Sequence, residues 1–133
     1  MSSILYSEDL LSKDYGNAIC GEVTSVYDGD TFSCNIREFP DIIGLRIRIR
    51  INGIDAPEIR DKRPQIKEIG IKAKIYTTNR LRNAKLIELR KIRRDKYFRI
   101  LADVYVDGED LGKELRAAGL ANSYFGKKKI EWK

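Results

Sequence analysis

Three short acidic clusters and two arginines carry the chemistry this chain could perform. They are Asp28-Gly29-Asp30-Thr31, Arg50 leading to Asp55-Ala56-Pro57-Glu58, and Asp95-Lys96-Tyr97-Phe98-Arg99. Aspartates beside a glycine turn are natural oxygen ligands for a hard cation such as Ca²⁺. A glutamate can take a proton from water, and two arginines can neutralise a phosphate whose charge grows in a transition state. That set of parts describes a metal-dependent phosphodiesterase. The chain has no histidine, which excludes imidazole acid–base chemistry and His-rich zinc sites. Each string alone has a plainer reading. Asp28-Gly29-Asp30 suits an ordinary hairpin turn. Arg50 is one of three strand arginines, Asp55 to Glu58 suits a strand exit, and Arg99 suits a surface ion pair with Asp95, Asp103 or Glu88.

These residues need a scaffold, and the flanking patterns predict one. Ile19 to Tyr27 and Thr31 to Ile36 flank the Asp-Gly turn as the arms of a hairpin. Glu38 to Gly44, with Pro40 and Gly44, reads as a loop or a flared hairpin end. Leu45 to Ile51 alternates, with Leu45, Ile47, Ile49 and Ile51 on one face and Arg46, Arg48 and Arg50 on the other, so it predicts a half-buried strand. Pro64 and many charges make Pro57 to Ile69 an expected exposed loop. Gly70 to Asn83 predicts a helix whose apolar face carries Ile71, Ile75, Thr78 and Leu81. Leu86 to Ile92 and Phe98 to Val106 return to strand character, and Asp107-Gly108 makes a turn. Asp110 is placed to cap a short helix through Leu111, Leu115 and Ala118, with Gly119 just beyond its end. The expected class is α+β, mainly β: a five-stranded OB-type Greek-key barrel with two helices. The expected divisions are an N-terminal arm over 1–17, the barrel over 18–126 and a solvated basic tail over 127–133.

At 133 residues the chain is long enough for one domain with its own core. It carries 26 Lys and Arg against 20 acids, for a net +6 and a pI near 9.3. Basic stripes at Arg46 to Arg50 and Lys85 to Arg99 fit a polyanionic partner, the plainer alternative being a solubilising surface. Nucleic acid is therefore the expected partner, with no membrane association and a monomer as the default state. Cys20 and Cys34 are too few for a disulfide framework or zinc site. A regular hairpin pairs Cys20 with Arg37 and Cys34 with Val23, so the sequence predicts two free, buried thiols and a reducing compartment. Met1 to Gly16 lacks a basic-then-apolar leader, so the chain as written is expected to be cytoplasmic, or secreted where a leader has been removed.

The order and spacing of the motifs resemble the staphylococcal nuclease (thermonuclease) family. The matching strings are Tyr27-Asp28-Gly29-Asp30-Thr31, Arg50 to Glu58, Asp95 to Ala102, and Ala117-Ala118-Gly119-Leu120-Ala121. They cover roughly residues 19–125, and their joint occurrence is more specific than any one of them. The resemblance implies a Ca²⁺ site made by Asp30, Asp55 and the carbonyl of Ala56, with Asp28 and Thr31 orienting ligands and waters around it. It implies that Glu58 activates the attacking water and that Arg50 and Arg99 grip the scissile phosphate. Lys96, Tyr97 and Tyr124 would line the nucleotide pocket. The implied activity is Ca²⁺-dependent hydrolysis of DNA, and of RNA, with little sequence specificity. The alternative within the same fold is a catalytically silent nucleic-acid-binding module. Phe98 departs from the pattern, standing where the best-known member has glycine. The stretch from Thr31 to Arg50 is longer than in that member, and the tail after Tyr124 is shorter.

Overall fold

The computed structural model describes residues 13–95, 97, 99–125 and 129–132. Among these residues, eight strands and three helices follow in chain order: β1 (Ala18–Asp28), β2 (Thr31–Ile36), α1 (Asp41–Gly44), β3 (Ile47–Ile51), β4 (Gly53–Asp55), α2 (Pro64–Arg82), β5 (Ile87–Arg94), β6 (Ile100–Val106), β7 (Glu109–Asp110), α3 (Leu111–Ala117) and β8 (Asn122–Tyr124). Five of the strands close a mixed barrel. The antiparallel ladder β3-β2-β1-β5-β6 returns on itself through a parallel pairing of β3 with β6, Arg50 lying opposite Leu101. The expected five-stranded OB-type barrel is present. One short pairing extends it, β7 on β6, and β4 with β8 form a separate two-stranded sheet. Phe32, Ile49, Ile51, Leu89, Val104 and Val106 fill the barrel, and Leu111 and Leu115 plug it from α3.

Local chemistry explains most of these boundaries. Gly29 and Asp30 form the two-residue connection between β1 and β2. A β-carbon on Gly29 would lie 2.6 Å from that of Ala73, so only glycine lets the hairpin tip sit this close to α2. The Thr77 hydroxyl then donates to the Gly29 carbonyl at 2.7 Å. At the far side, Asp107 (φ 51°) and Gly108 (φ 85°) turn β6 into β7. Asp110 caps α3 by accepting from the Lys113 backbone N–H, and Gly119 closes it at φ 73°, as the sequence predicts.

Five expectations need correction. The expected loop Glu38 to Gly44 holds the one-turn helix α1. α2 starts at Pro64, inside the expected loop, because proline at the first helical position loses no hydrogen bond. Its buried face is Ile66, Gly70, Ala73, Thr77 and Leu81, whereas Ile71 and Ile75 remain 41% and 54% exposed. The close approach to the hairpin selects small side chains and turns the isoleucines outward. β3 begins only at Ile47, since Arg46 is left-handed (φ 54°) and leaves Leu45 facing solvent. Finally, Cys20 and Cys34 form a disulfide, with α-carbons 5.5 Å apart. β1 bulges between Cys20 and Glu22, so Cys20 pairs with Ile36 while Cys34 pairs with Val23. The one extra residue flips the phase of β1 and brings both sulfurs to the same face. With no free cysteine among the described residues, the thiol argument for a reducing compartment falls.

Candidate active site

Four segments meet at one end of the barrel. The hairpin tip supplies Asp30, β3 supplies Arg50, β4 supplies Asp55, and the turn before β6 supplies Arg99. Register explains the convergence: Thr31 lies opposite Arg50, and Arg50 opposite Leu101, two residues beyond Arg99. The Asp30 carbonyl accepts from the Ile51 N–H at 2.9 Å, which pins the tip to β3.

Asp30, Arg50 and Asp55 are all buried. Nη1 of Arg50 is 3.2 Å from Oδ2 of Asp30, and Nη2 is 3.7 Å from Oδ1 of Asp55. The Asp30 carboxylate also accepts from the Ala56 N–H at 2.8 Å and from the Thr31 hydroxyl at 2.9 Å. Thr31 and Ala56 thus hold Asp30 from opposite sides, and the guanidinium joins the two carboxylates. Asp28 lies beside them and accepts from the Ile59 N–H. Burial pushes the Asp28 carboxyl above the usual carboxylate range, and the charges of Asp30 and Glu58 add to the rise. Glu58 is exposed, and its carboxylate makes no hydrogen bond or ion pair among the described residues.

Arg99 does pair with Asp95, through Nε at 2.8 Å. That pairing orders the turn rather than removing the arginine from the site. Asp95 also accepts from the backbone N–H groups of Tyr97 and Arg99, both at 2.9 Å. The guanidinium sits 5.3 Å from the Tyr97 ring centroid, and its terminal amino groups make no hydrogen bond among the described residues. Arg50, Tyr97, Arg99 and Tyr124 line a common cleft of about 470 Å³. Lys96 and Phe98 lie outside the described residues.

The cleft also contains residues that the sequence motifs miss. Arg93 and Arg94 line it, turned there by a break in the β5 register between Arg90 and Arg93, with Lys91 at φ 53°. Asn52 and Phe125 complete the wall near Gly53. Among the described lining residues four arginines stand against one acid, Asp95, which makes this cleft cationic. Lys129, expected in a solvated tail, instead reaches Asp55, its Nζ 3.2 Å from Oδ1. Lys127 and Lys128 lie outside the described residues.

Residues 48–132 match the family described as staphylococcal nuclease homologue. That span holds Arg50, Asp55, Glu58, Arg99 and Tyr124, and begins after Asp30. Among curated proteins, the chain is similar to the Probable endonuclease LCL3 of Arthroderma otae, 32% identical over 136 residues, or 86% of this chain and 48% of the relative. The protein of the same name from Colletotrichum graminicola is 33% identical over 138 residues, or 86% and 49%. The Thermonuclease of Staphylococcus hyicus is 31% identical over 105 residues, or 78% and 59%. The chain thus spans about half the length of the curated relatives it matches.

Proposed function

The chain belongs to the staphylococcal nuclease family, and on that premise we propose that it is a calcium-dependent nuclease that hydrolyses phosphodiester bonds of DNA and RNA with low sequence specificity. The observation that carries this reading is the buried Asp30–Arg50–Asp55 arrangement at the edge of an arginine-lined cleft.

The donor set suits a hard cation. Asp30 and Asp55 offer carboxylate oxygens and Ala56 offers its carbonyl, and Asp28 lies beside them with its carboxyl raised chiefly by burial. Two carboxylates and a backbone carbonyl would hold the ion, since among the described residues no three acidic side chains form a ligand set by themselves. When bound, Ca²⁺ would supply positive charge to orient a phosphate oxygen and a water.

The remaining chemistry falls to the side chains. Glu58, its carboxylate exposed and unpaired among the described residues, accepts a proton from the attacking water. Arg50 is fixed by its two aspartates and Arg99 by Asp95, so each presents its remaining N–H groups to the phosphate with little reorganisation. Tyr97 and Tyr124 flank the nucleotide, with Lys96 as a further contact. By the family pattern, attack breaks the 5′ O–P bond and leaves a 3′-phosphate. A pocket that takes a nucleotide favours single strands and frayed ends, whose bases are already unstacked. The Arg93 and Arg94 side chains add phosphate contacts that carry no sequence information.

The test is release of acid-soluble fragments from single-stranded DNA across a Ca²⁺ titration, with a chelator control, for wild type and Glu58→Gln. Cleavage should require Ca²⁺, and Glu58→Gln should keep DNA binding while losing about 10²–10⁴ in rate. Near wild-type cleavage by that variant would remove Glu58 from its role. The second reading, a silent nucleic-acid-binding module, draws on the engagement of Arg50 and Arg99 by acids of their own chain. Salt-sensitive binding without cutting at any Ca²⁺ concentration would favour it.

A further inference from the structure

Lys129 returns from beyond β8 onto the proposed cation site. Its Nζ is 3.2 Å from Oδ1 of Asp55, the same oxygen that faces Nη2 of Arg50 at 3.7 Å. The ammonium also lies 5.5 Å from the Tyr124 ring centroid. Two further contacts tie the segment down. Arg63, itself held by Asp61, donates from Nη1 to the Trp132 carbonyl at 2.9 Å. Asn122 donates to the Ile130 carbonyl at 3.5 Å. The indole Nε1 of Trp132 is buried and without a hydrogen-bond partner among the described residues, so that edge of the ring is tucked against the protein.

Charge counting gives this return a consequence. Asp30 and Asp55 carry two negative charges, and Arg50 and Lys129 bring two positive ones. The pair is balanced before any divalent ion arrives. A divalent cation at Asp55 would meet the Lys129 ammonium on the same oxygen, at a distance where like charges repel. Arg50 is buried and cannot retreat, whereas the Lys129 side chain is 59% exposed and can swing into water.

We propose that residues 129–132 form a strap in which Lys129 is a tethered counter-ion of Asp55. A divalent cation displaces it, so the strap lowers cation affinity and shifts when the ion binds. This rests on the reading of Asp30 and Asp55 as cation ligands. An exposed ion pair contributes modestly, so the expected effect on affinity is about two- to five-fold.

The experiment uses the full chain and two probes, Ca²⁺ by calorimetry and Tb³⁺ by luminescence. Lys129→Met and Lys129→Ala should tighten binding by about two- to five-fold and to a similar extent, because the charge matters and the stem does not. Lys129→Glu should tighten it further, and Arg63→Ala should act in the same direction by loosening the far end of the strap. Trp132 is the only tryptophan of the chain, so its emission should change with Ca²⁺ at the midpoint found by calorimetry. Equal affinities for wild type, Lys129→Met and Lys129→Glu would overturn the strap while leaving the cation site standing. Silent Trp132 emission beside normal Ca²⁺ binding would overturn its displacement. Failure of wild type and all variants to bind either ion would overturn the site reading itself.

Discussion

A β-carbon on Gly70 would lie 2.8 Å from the carbonyl oxygen of Glu58, and 2.8 Å from that of Pro57. Helix α2 therefore braces the backbone that carries the proposed general base, and only glycine permits the approach. Two effects compete in Gly70→Ala. Alanine favours an interior helical position by about 1 kcal/mol. Overpacking against rigid backbone costs about 1–3 kcal/mol, and it acts on carbonyls that cannot rotate away. The clash should win, lowering the thermal midpoint and reducing cleavage more than DNA binding as Glu58 shifts. A higher midpoint for Gly70→Ala would show that helix propensity outweighs the contact.

The two arginines should separate in their effects. Arg50 lies buried between Asp30 and Asp55, and Arg99 is a partly exposed partner of Asp95. Arg50→Ala strips two buried carboxylates of a counter-ion, with an expected loss of about 3–5 kcal/mol in stability. Arg99→Ala should cost about 0.2–1 kcal/mol. Both should lose about 10²–10³ in cleavage rate. Denaturant melts beside single-stranded DNA assays check this, and equal stability losses would contradict the burial difference.

The Cys20–Cys34 bridge staples β1 to β2 behind the tip that holds Asp30. A loop of this size is expected to contribute about 3 kcal/mol through the unfolded chain. Cys20→Ser with Cys34→Ser should therefore lower the thermal midpoint, and reductant should lower that of the wild type but not of the double variant. Thiol titration of the unreduced, denatured protein should find no free cysteine. Two reactive thiols in that assay would mean that the bridge does not form in solution.

What the sequence revealed, and what it hid, follows from the range of each interaction. Asp30, Arg50, Asp55 and Arg99 stand in strings whose local chemistry also sets their backbone: a two-residue turn, an alternating strand, an Asp-capped turn. Such strings are legible because neighbours in sequence decide them. The face of α2 was not, because it is chosen by a close approach to Gly29 and Glu58 that favours Gly70, Ala73 and Thr77 over Ile71 and Ile75. The disulfide was hidden by one bulge, since a single extra residue in β1 changes which side chains share a face. Arg93 and Arg94 merged into a basic run whose register break leaves no mark in composition. The contact of Lys129 with Asp55 joins distant parts of the chain and has no local signature.

The anchor of the strap can be read from one titration. Hydrogen bonds from the Arg63 side chain and backbone hold the Asp61 carboxyl down to about 2, from an ordinary 3.8. Because the folded value is the lower one, the stabilisation is fully present above the ordinary value and fades as pH falls through about 2. Carboxyl carbon shifts followed by NMR should give an Asp61 midpoint near 2 in the wild type. In Arg63→Gln the midpoint should return toward 3.8, and Trp132 emission should change, since the same guanidinium holds the Trp132 carbonyl. An ordinary midpoint in the wild type would mean that Arg63 does not clamp Asp61 in solution, and the far end of the strap would lose its support.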